Sequence, residues 1–152
     1  KEKPDSFVTL VEKFSEAARY AEKNIKRQNA DNVKLLIGDV LAGDGGDKLY
    51  DLIVSNPPYI ATAEMDIISP ETRYEPETAL LGGEDGLDFY RAITENYAAC
   101  IKNGGMLCFE VGINEVEAVS ACLESAGFRD IGIKKDLNGT DRSVYGFKHT
   151  EG

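Results

Sequence analysis

Tryptophan is absent from this 152-residue chain, and histidine occurs once, at His149. The cysteines are three, Cys100, Cys108 and Cys122, an odd number with no close pairing. This sparse set excludes the clustered His and Cys ligands of a zinc site, and no metal is expected. It also excludes a disulfide framework, and the apolar surroundings of each cysteine imply reduced, buried thiols of a cytoplasmic protein. No apolar run approaches the roughly 20 residues that span a bilayer. The opening residues, KEKPDS, lack the pattern of a signal peptide. Basic residues are outnumbered, 17 against 27 acidic, for a net charge of −10. Such a surface repels a phosphate backbone at short range, so direct nucleic-acid binding is not expected unless a separate basic domain supplies the contacts. A cationic ligand or a basic protein partner is compatible with it.

What is present suits one globular domain with a real core: 42% hydrophobic and 29% charged residues. Phe7–Val11 is rich in strand formers, and Glu12 follows it. Ser15 opens a helical pattern through about Gln28, with Ala17, Ala18, Ala21 and Ile25 on one stripe. Val33–Ile37 reads as a second strand ending at Gly38-Asp39, and Leu52–Val54 as a third, buried strand. Residues 61–86 form a long irregular stretch, of the kind usually functional or mobile. A helix is expected over Leu87–Ile101, closed by Asn103-Gly104-Gly105, then a strand over Met106–Val111. Asn114 and Glu117 suggest a capping box for a helix that Gly127 ends. Phe128–Lys134 and Ser143–Lys148 read as a final antiparallel pair across an Asn138-Gly139 turn. Alternating strands and helices imply an α/β fold with a mainly parallel sheet.

The third strand runs into Ser55-Asn56-Pro57-Pro58-Tyr59. Two prolines in sequence stop a strand ladder because neither has an N–H to donate. In α/β sheets, ligands bind beyond the carboxyl ends of strands, which makes this stiff loop a candidate site. Taken alone, Asn-Pro-Pro also reads as a simple turn.

The surrounding runs favour a site. Glu12, Asp39 and Asn56-Pro57-Pro58-Tyr59 follow successive strands, an order that resembles the Rossmann-like class I S-adenosylmethionine-dependent methyltransferases. VSNPPYI, RYEP (Arg73–Pro76), ALLGGEDGLDFYR (Ala79–Arg91), NGG (Asn103–Gly105) and DLNGTDR (Asp136–Arg142) resemble, over almost the whole chain, the protein-(glutamine-N5) methyltransferases of the HemK/PrmC type. The resemblance implies N5-methylation of the glutamine in the Gly-Gly-Gln motif of peptide-chain release factors. S-adenosyl-L-methionine would be the cofactor and S-adenosyl-L-homocysteine the product.

It also implies roles. Glu12 would accept both ribose hydroxyls of the cofactor. Asp39 would sit beside the adenine amino group, Val40 would line the adenine pocket, and Asn56 would border the cofactor. An amide nitrogen is a poor nucleophile, since its lone pair is delocalised into the carbonyl. The Asn56 side-chain oxygen and the Pro57 carbonyl would hold the substrate amide N–H₂ so that the lone pair is presented for attack. Pro58 would stiffen the loop, and Tyr59 would offer a flat face to the amide or cap the core beneath it. Arg73 and Glu75 would order the following loop, contact substrate or form a surface ion pair. Glu110 would support the site without acting in catalysis.

The chain departs from the resemblance at its start. The family's N-terminal helical substrate-recognition domain, first strand and glycine-rich cofactor loop have no counterpart here. The chain therefore reads as a partial catalytic domain, from the family's second strand to its C-terminus, inactive or weak in cofactor binding by itself. Its sheet would close by direct pairing of the strands flanking the gap, by strand exchange or as a dimer. Two alternatives stand beside this reading. One is methylation of adenine N6 or guanine N2 in nucleic acid, which shares Asn-Pro-Pro-Tyr; the other is a non-catalytic binding module.

Overall fold

The structure, a computed structural model, describes residues 5–46, 48–69 and 72–149. The chain divides into two compact units, Lys1–Lys48 and Leu49–Gly152.

The first unit is a β-α-β element. Strands β1 (Val8–Glu12) and β2 (Val33–Ile37) pair in parallel, from Val8 opposite Val33 to Glu12 opposite Ile37. Helix α1 spans Ser15–Gln28, as its apolar spacing predicts, with Ala18 buried. Ala17, expected on the same stripe, is exposed. The helix ends at Asn29 in the left-handed region (φ 49°), where its N–H reaches back to the last-turn carbonyls. Phe7 is 91% exposed and precedes the strand rather than starting it.

The second unit is a four-stranded sheet in the order β3-β4-β6-β5, formed by β3 (Tyr50–Ser55), β4 (Ile101–Glu110), β5 (Phe128–Lys135) and β6 (Asp141–Lys148). β3 and β4 are parallel, while β6 runs antiparallel to both β4 and β5. The expected antiparallel close is therefore larger than a hairpin: β6 lies between its two partners. Helices α2 (Asp88–Tyr97) and α3 (Val116–Ser125) pack on each other and on this sheet. Period-two alternation buries Gly105, Leu107 and Phe109 of β4 on one face. Val144 of β6, Phe128, Tyr90, Val119 and Leu123 complete that core. Each large side chain fully buried there stabilises the fold by about 1.5–3 kcal/mol. Gly146 makes room for the core: a Cβ there would stand 2.6 Å from Ile131 Cδ1 and 3.0 Å from Phe128 Cβ.

Four expectations need correction. The helix before β4 stops at Tyr97, and after a 3-10 turn at Ala98–Cys100 the chain is extended from Ile101. Asn103-Gly104-Gly105 is therefore not a helix terminator. It lies in a bulge where Tyr50 and Leu52 of β3 face Ile101 and Met106 of β4. Gly104, at φ 75°, makes that excursion. The Asn114–Glu117 capping box is also not formed: Asn114 is left-handed (φ 71°) and Glu115 is the N-cap residue, with no side-chain capping bond. Third, β3 is an edge strand of its sheet, so it is not buried as expected: Leu52 and Val54 are exposed and only Ile53 is half-buried. Fourth, Cys100 is buried but Cys108 and Cys122 are only half-buried; all three are free thiols. No helix among the described residues is long and apolar enough to cross a membrane.

Candidate active site

In the first unit, the chain leaves β1 at Glu12 and β2 through Gly38-Asp39, and the Gly38 N–H donates to the Glu12 carbonyl (3.0 Å). The two acidic side chains thus lie just beyond the same end of one parallel pair. Glu12 Oε1 accepts the Phe14 N–H at 2.8 Å. Asp39 is more heavily engaged. It accepts the Leu41 N–H at 2.9 Å, opening the 3-10 turn Val40–Ala42, and pairs with Lys13 Nζ at 2.7 Å. The Lys13 ammonium and the Leu41 N–H hold its carboxyl below the usual range. Val40 is half-buried. The half-exposed Glu12 carboxylate keeps acceptor capacity beyond its one backbone donor, which suits a pair of sugar hydroxyls.

In the second unit, β3 ends at Ser55 and Asn56-Pro57-Pro58-Tyr59 leaves the ladder. Asn56 is exposed, and its side chain makes no hydrogen bond among the described residues. Pro57 beneath it is buried, and Pro58 and Tyr59 are half-buried. The loop is held at its far end. Ile60 N–H donates to the Leu80 carbonyl (2.9 Å), and Gly82 N–H donates to the Ile60 carbonyl (2.9 Å), closing a parallel bridge between Ile60 and Leu81. Thr62 adds its N–H (2.9 Å) and hydroxyl (3.0 Å) to the Gly83 carbonyl.

The run ALLGGEDG is the floor of this loop. A Cβ at Gly82 would lie 2.8 Å from Tyr59 Cα and 2.9 Å from the Pro58 oxygen; one at Gly86 would lie 2.5 Å from the Tyr59 oxygen. Gly112, just past β4, receives the Tyr59 ring, whose Cδ2 lies 2.9 Å from where a Cβ would stand. At Gly82 and Gly86 backbone therefore packs on backbone, while Gly112 packs against the Tyr59 ring and the Glu115 carboxylate. Beyond the floor, Arg91 forks onto Asp85, whose carboxyl is held at about 2 by that guanidinium and the Leu87 N–H. Gly83, at φ 99°, sits against the Asp88 carboxylate.

Two residues under the loop have roles that the sequence does not show, Tyr90 within the ALLGGEDGLDFYR run and Glu115 outside every quoted run. Tyr90, fully buried, donates its hydroxyl to the Glu110 carbonyl and to Glu115 Oε2, both at 3.0 Å, and meets Phe109 edge-on at 5.2 Å. Glu115 Oε2 also accepts the Gly112 N–H at 2.7 Å. Burial pushes the Glu115 carboxyl up, against the opposing pull of the Gly112 N–H and the Tyr90 hydroxyl. Burial, then the Glu115 charge, raises the Tyr90 phenol far above its usual range. Glu110 takes part through its backbone carbonyl. Tyr74, in RYEP, is 92% exposed, and Glu75 is exposed with its N–H on the Thr72 carbonyl. The Arg73 side chain lies outside the described residues.

DLNGTDR braces the same end of β4. Asp136 Oδ1 accepts the N–H groups of Asn138 (2.8 Å) and Thr140 (3.1 Å), which hold its carboxyl low. Arg142 lies 3.6 Å from Asp136 and donates to the Val111 carbonyl at 3.1 Å.

Sequence comparison points to methyltransferases. The family model described as Methyltransferase small domain matches residues 1–70. A release factor glutamine methyltransferase of Geobacter sulfurreducens is 43% identical over 147 residues, covering 96% of this chain and 51% of that protein. One from Caulobacter vibrioides is 38% identical over 150 residues, covering 97% and 52%. The chain thus spans about half the length of the curated relatives it matches. Among solved structures, a methyltransferase of Pyrococcus furiosus matches with TM-score 0.66 at 24% identity, over 95% of this chain and 64% of that one. A SAM-dependent O-methyltransferase of Thermotoga maritima matches with TM-score 0.69 at 14% identity, over 98% and 52%. These structural matches establish the class I methyltransferase fold. The chain is thus similar in sequence to release factor glutamine methyltransferases over about half of their length, and its fold is that of the class I methyltransferases.

Proposed function

We propose that this chain is the acceptor-holding part of a cytoplasmic enzyme that transfers a methyl group from S-adenosylmethionine to a glutamine side chain. The protein substrate is a peptide-chain release factor, as in the names of the curated relatives. The observation that carries the reading is Asn56: an exposed amide free of intramolecular hydrogen bonds among the described residues, at a strand end, on a loop clamped at Ile60 and floored by glycines.

S-adenosylmethionine, when bound, supplies an electrophilic sulfonium methyl. The chain's own work is to present the nucleophile. The Asn56 side-chain oxygen and the Pro57 carbonyl accept the two N–H bonds of the glutamine amide. This fixes the rotation of the amide and turns its nitrogen lone pair toward the donor. The prolines remove backbone freedom that would otherwise be lost on binding. Tyr59 closes one side of the amide. As the nitrogen gains the methyl its protons become acidic; the same two acceptors stabilise the developing charge, and one proton leaves to solvent as the neutral amide re-forms. Glu12 takes the ribose hydroxyls, and Asp39 with Val40 borders the adenine.

The test is Asn56→Ala in the full-length protein, with tritiated cofactor and a Gly-Gly-Gln-bearing release factor. Turnover is expected to fall by about 100-fold or more, with cofactor affinity within about threefold of wild type. Normal turnover at saturation combined with lost cofactor binding would overturn the assignment.

A further inference from the structure

We infer that Glu115 is a positioning residue for the Asn56–Tyr59 acceptor loop. The inference rests on the proposed function but can fail or stand apart from it.

The loop has no strand ladder of its own, so its position comes from what lies beneath it. Beneath it are Gly82, Gly86 and Gly112, each so close to Pro58 or Tyr59 that a single added carbon would collide. Gly82 is fixed by its hydrogen bond to Ile60. Gly112 has left β4, and its N–H is held by the Glu115 carboxylate at 2.7 Å. The same oxygen receives the Tyr90 hydroxyl, which also binds the Glu110 carbonyl. Glu115 Oε1 faces Gly86, 2.8 Å from its virtual Cβ, while Gly86 abuts the Tyr59 carbonyl. One carboxylate therefore borders two of the three glycines beneath the loop, Gly86 and Gly112, and it is tied to a fully buried tyrosine. Left-handed Asn114 turns the chain so that Glu115, at the head of α3, reaches back to Gly112.

This arrangement is more than helix capping. The helix N-cap makes no side-chain capping bond, so the carboxylate is committed to the loop floor and not to its own helix. Removing it leaves the Gly112 N–H without its side-chain acceptor and the Tyr90 hydroxyl with the Glu110 carbonyl alone, and it frees the floor to move under Tyr59.

The experiment compares Glu115→Ala and Glu115→Gln in the full-length protein, by amide hydrogen exchange and by steady-state kinetics. In Glu115→Ala, exchange at Ile60 and Gly82 should rise by about tenfold or more, with β5–β6 ladder amides unchanged. Turnover should fall, or KM for the protein substrate rise, by about tenfold to 100-fold, with cofactor affinity within about twofold. Glu115→Gln keeps an acceptor for the Gly112 N–H and should recover most of both losses. Wild-type exchange at Ile60 and Gly82 in Glu115→Ala would overturn the inference. So would an equal rise across β4, β5 and β6, which marks a general loss of stability. If the wild-type protein transfers no methyl group to glutamine, the proposed function fails, and the exchange data alone decide the role of Glu115.

Discussion

Replacing Gly82 with alanine offers a sharp test of how the acceptor loop is held. The new Cβ would stand 2.6 Å from the Gly86 oxygen, 2.8 Å from Tyr59 Cα and 2.9 Å from the Pro58 oxygen. Ordinary carbon contacts begin near 3.5 Å, so these neighbours must retreat by roughly 0.5–1 Å. All three are backbone atoms, and no side-chain rotation relieves the clash. Gly82 is not among the positive-φ glycines, so alanine fits its backbone and the whole cost is steric. Overpacking of this kind costs about 1–3 kcal/mol. For a chain of this size that lowers Tm by about 2–12 °C. The functional loss should be larger in proportion, because a misplacement of about 1 Å at a reacting group costs on the order of 100-fold in rate. Gly127→Ala is the control. Gly127 sits at φ 86° with nothing within 4 Å of its virtual Cβ, so alanine costs about 1–2 kcal/mol by backbone strain alone. Differential scanning calorimetry and methyl-transfer assays on the two full-length variants should show similar Tm losses but a turnover defect only in Gly82→Ala. Wild-type turnover in Gly82→Ala, or losses that track Tm in both, would refute the argument.

Other parts of the fold give their own expectations. Asp136→Ala removes the acceptor of two loop N–H groups and the partner of Arg142, and should lower the midpoint of urea denaturation. Exchange at the β5–β6 hairpin amides should rise first; an unchanged midpoint would show that these contacts do not brace the turn. The Asp85–Arg91 pair sets an acid-side signature. The Asp85 carboxyl is lowered from 3.8 to about 2, so its contribution is complete above pH 3.8 and lost as pH falls through about 2. Asp85→Asn should flatten the stability–pH curve between those values, and a curve superimposable on wild type would show the pair to be inert. Because the pair is solvent-exposed, the effect should also shrink in high salt.

Much of this arrangement is legible in the sequence because its signals are local. Helix α1 follows from the spacing of Ala18, Ala21 and Ile25. β6 follows from a strand-rich run after Asn138-Gly139, and the acceptor loop from two prolines that end a ladder. The start of β4 is not legible for a related reason: Asn103-Gly104-Gly105 has the composition of a helix stop, while its use as a bulge depends on pairing with β3, some fifty residues earlier in the chain. The same holds for Glu115. Its sequence neighbours suggest a helix start, and its actual partners, Tyr90 and Gly112, come from another helix and a strand end. The glycines of ALLGGEDG are conspicuous in the sequence, but what they make room for is set by the tertiary fold.

The clasp between Ile60 and Leu80–Gly82 has a consequence for how such enzymes diversify. Both ends of the intervening segment are pinned at one point, so its described residues, 63–69 and 72–79, hang from the Asn56–Tyr59 loop like a pendant from a closed ring. Doubling the length of such a loop costs only about 0.6 kcal/mol in closure entropy. The pendant is therefore free to lengthen, shorten or change its surface chemistry while Asn56 stays where it is. Under the proposed function, substrate choice can evolve in one segment without disturbing the chemistry held by the other.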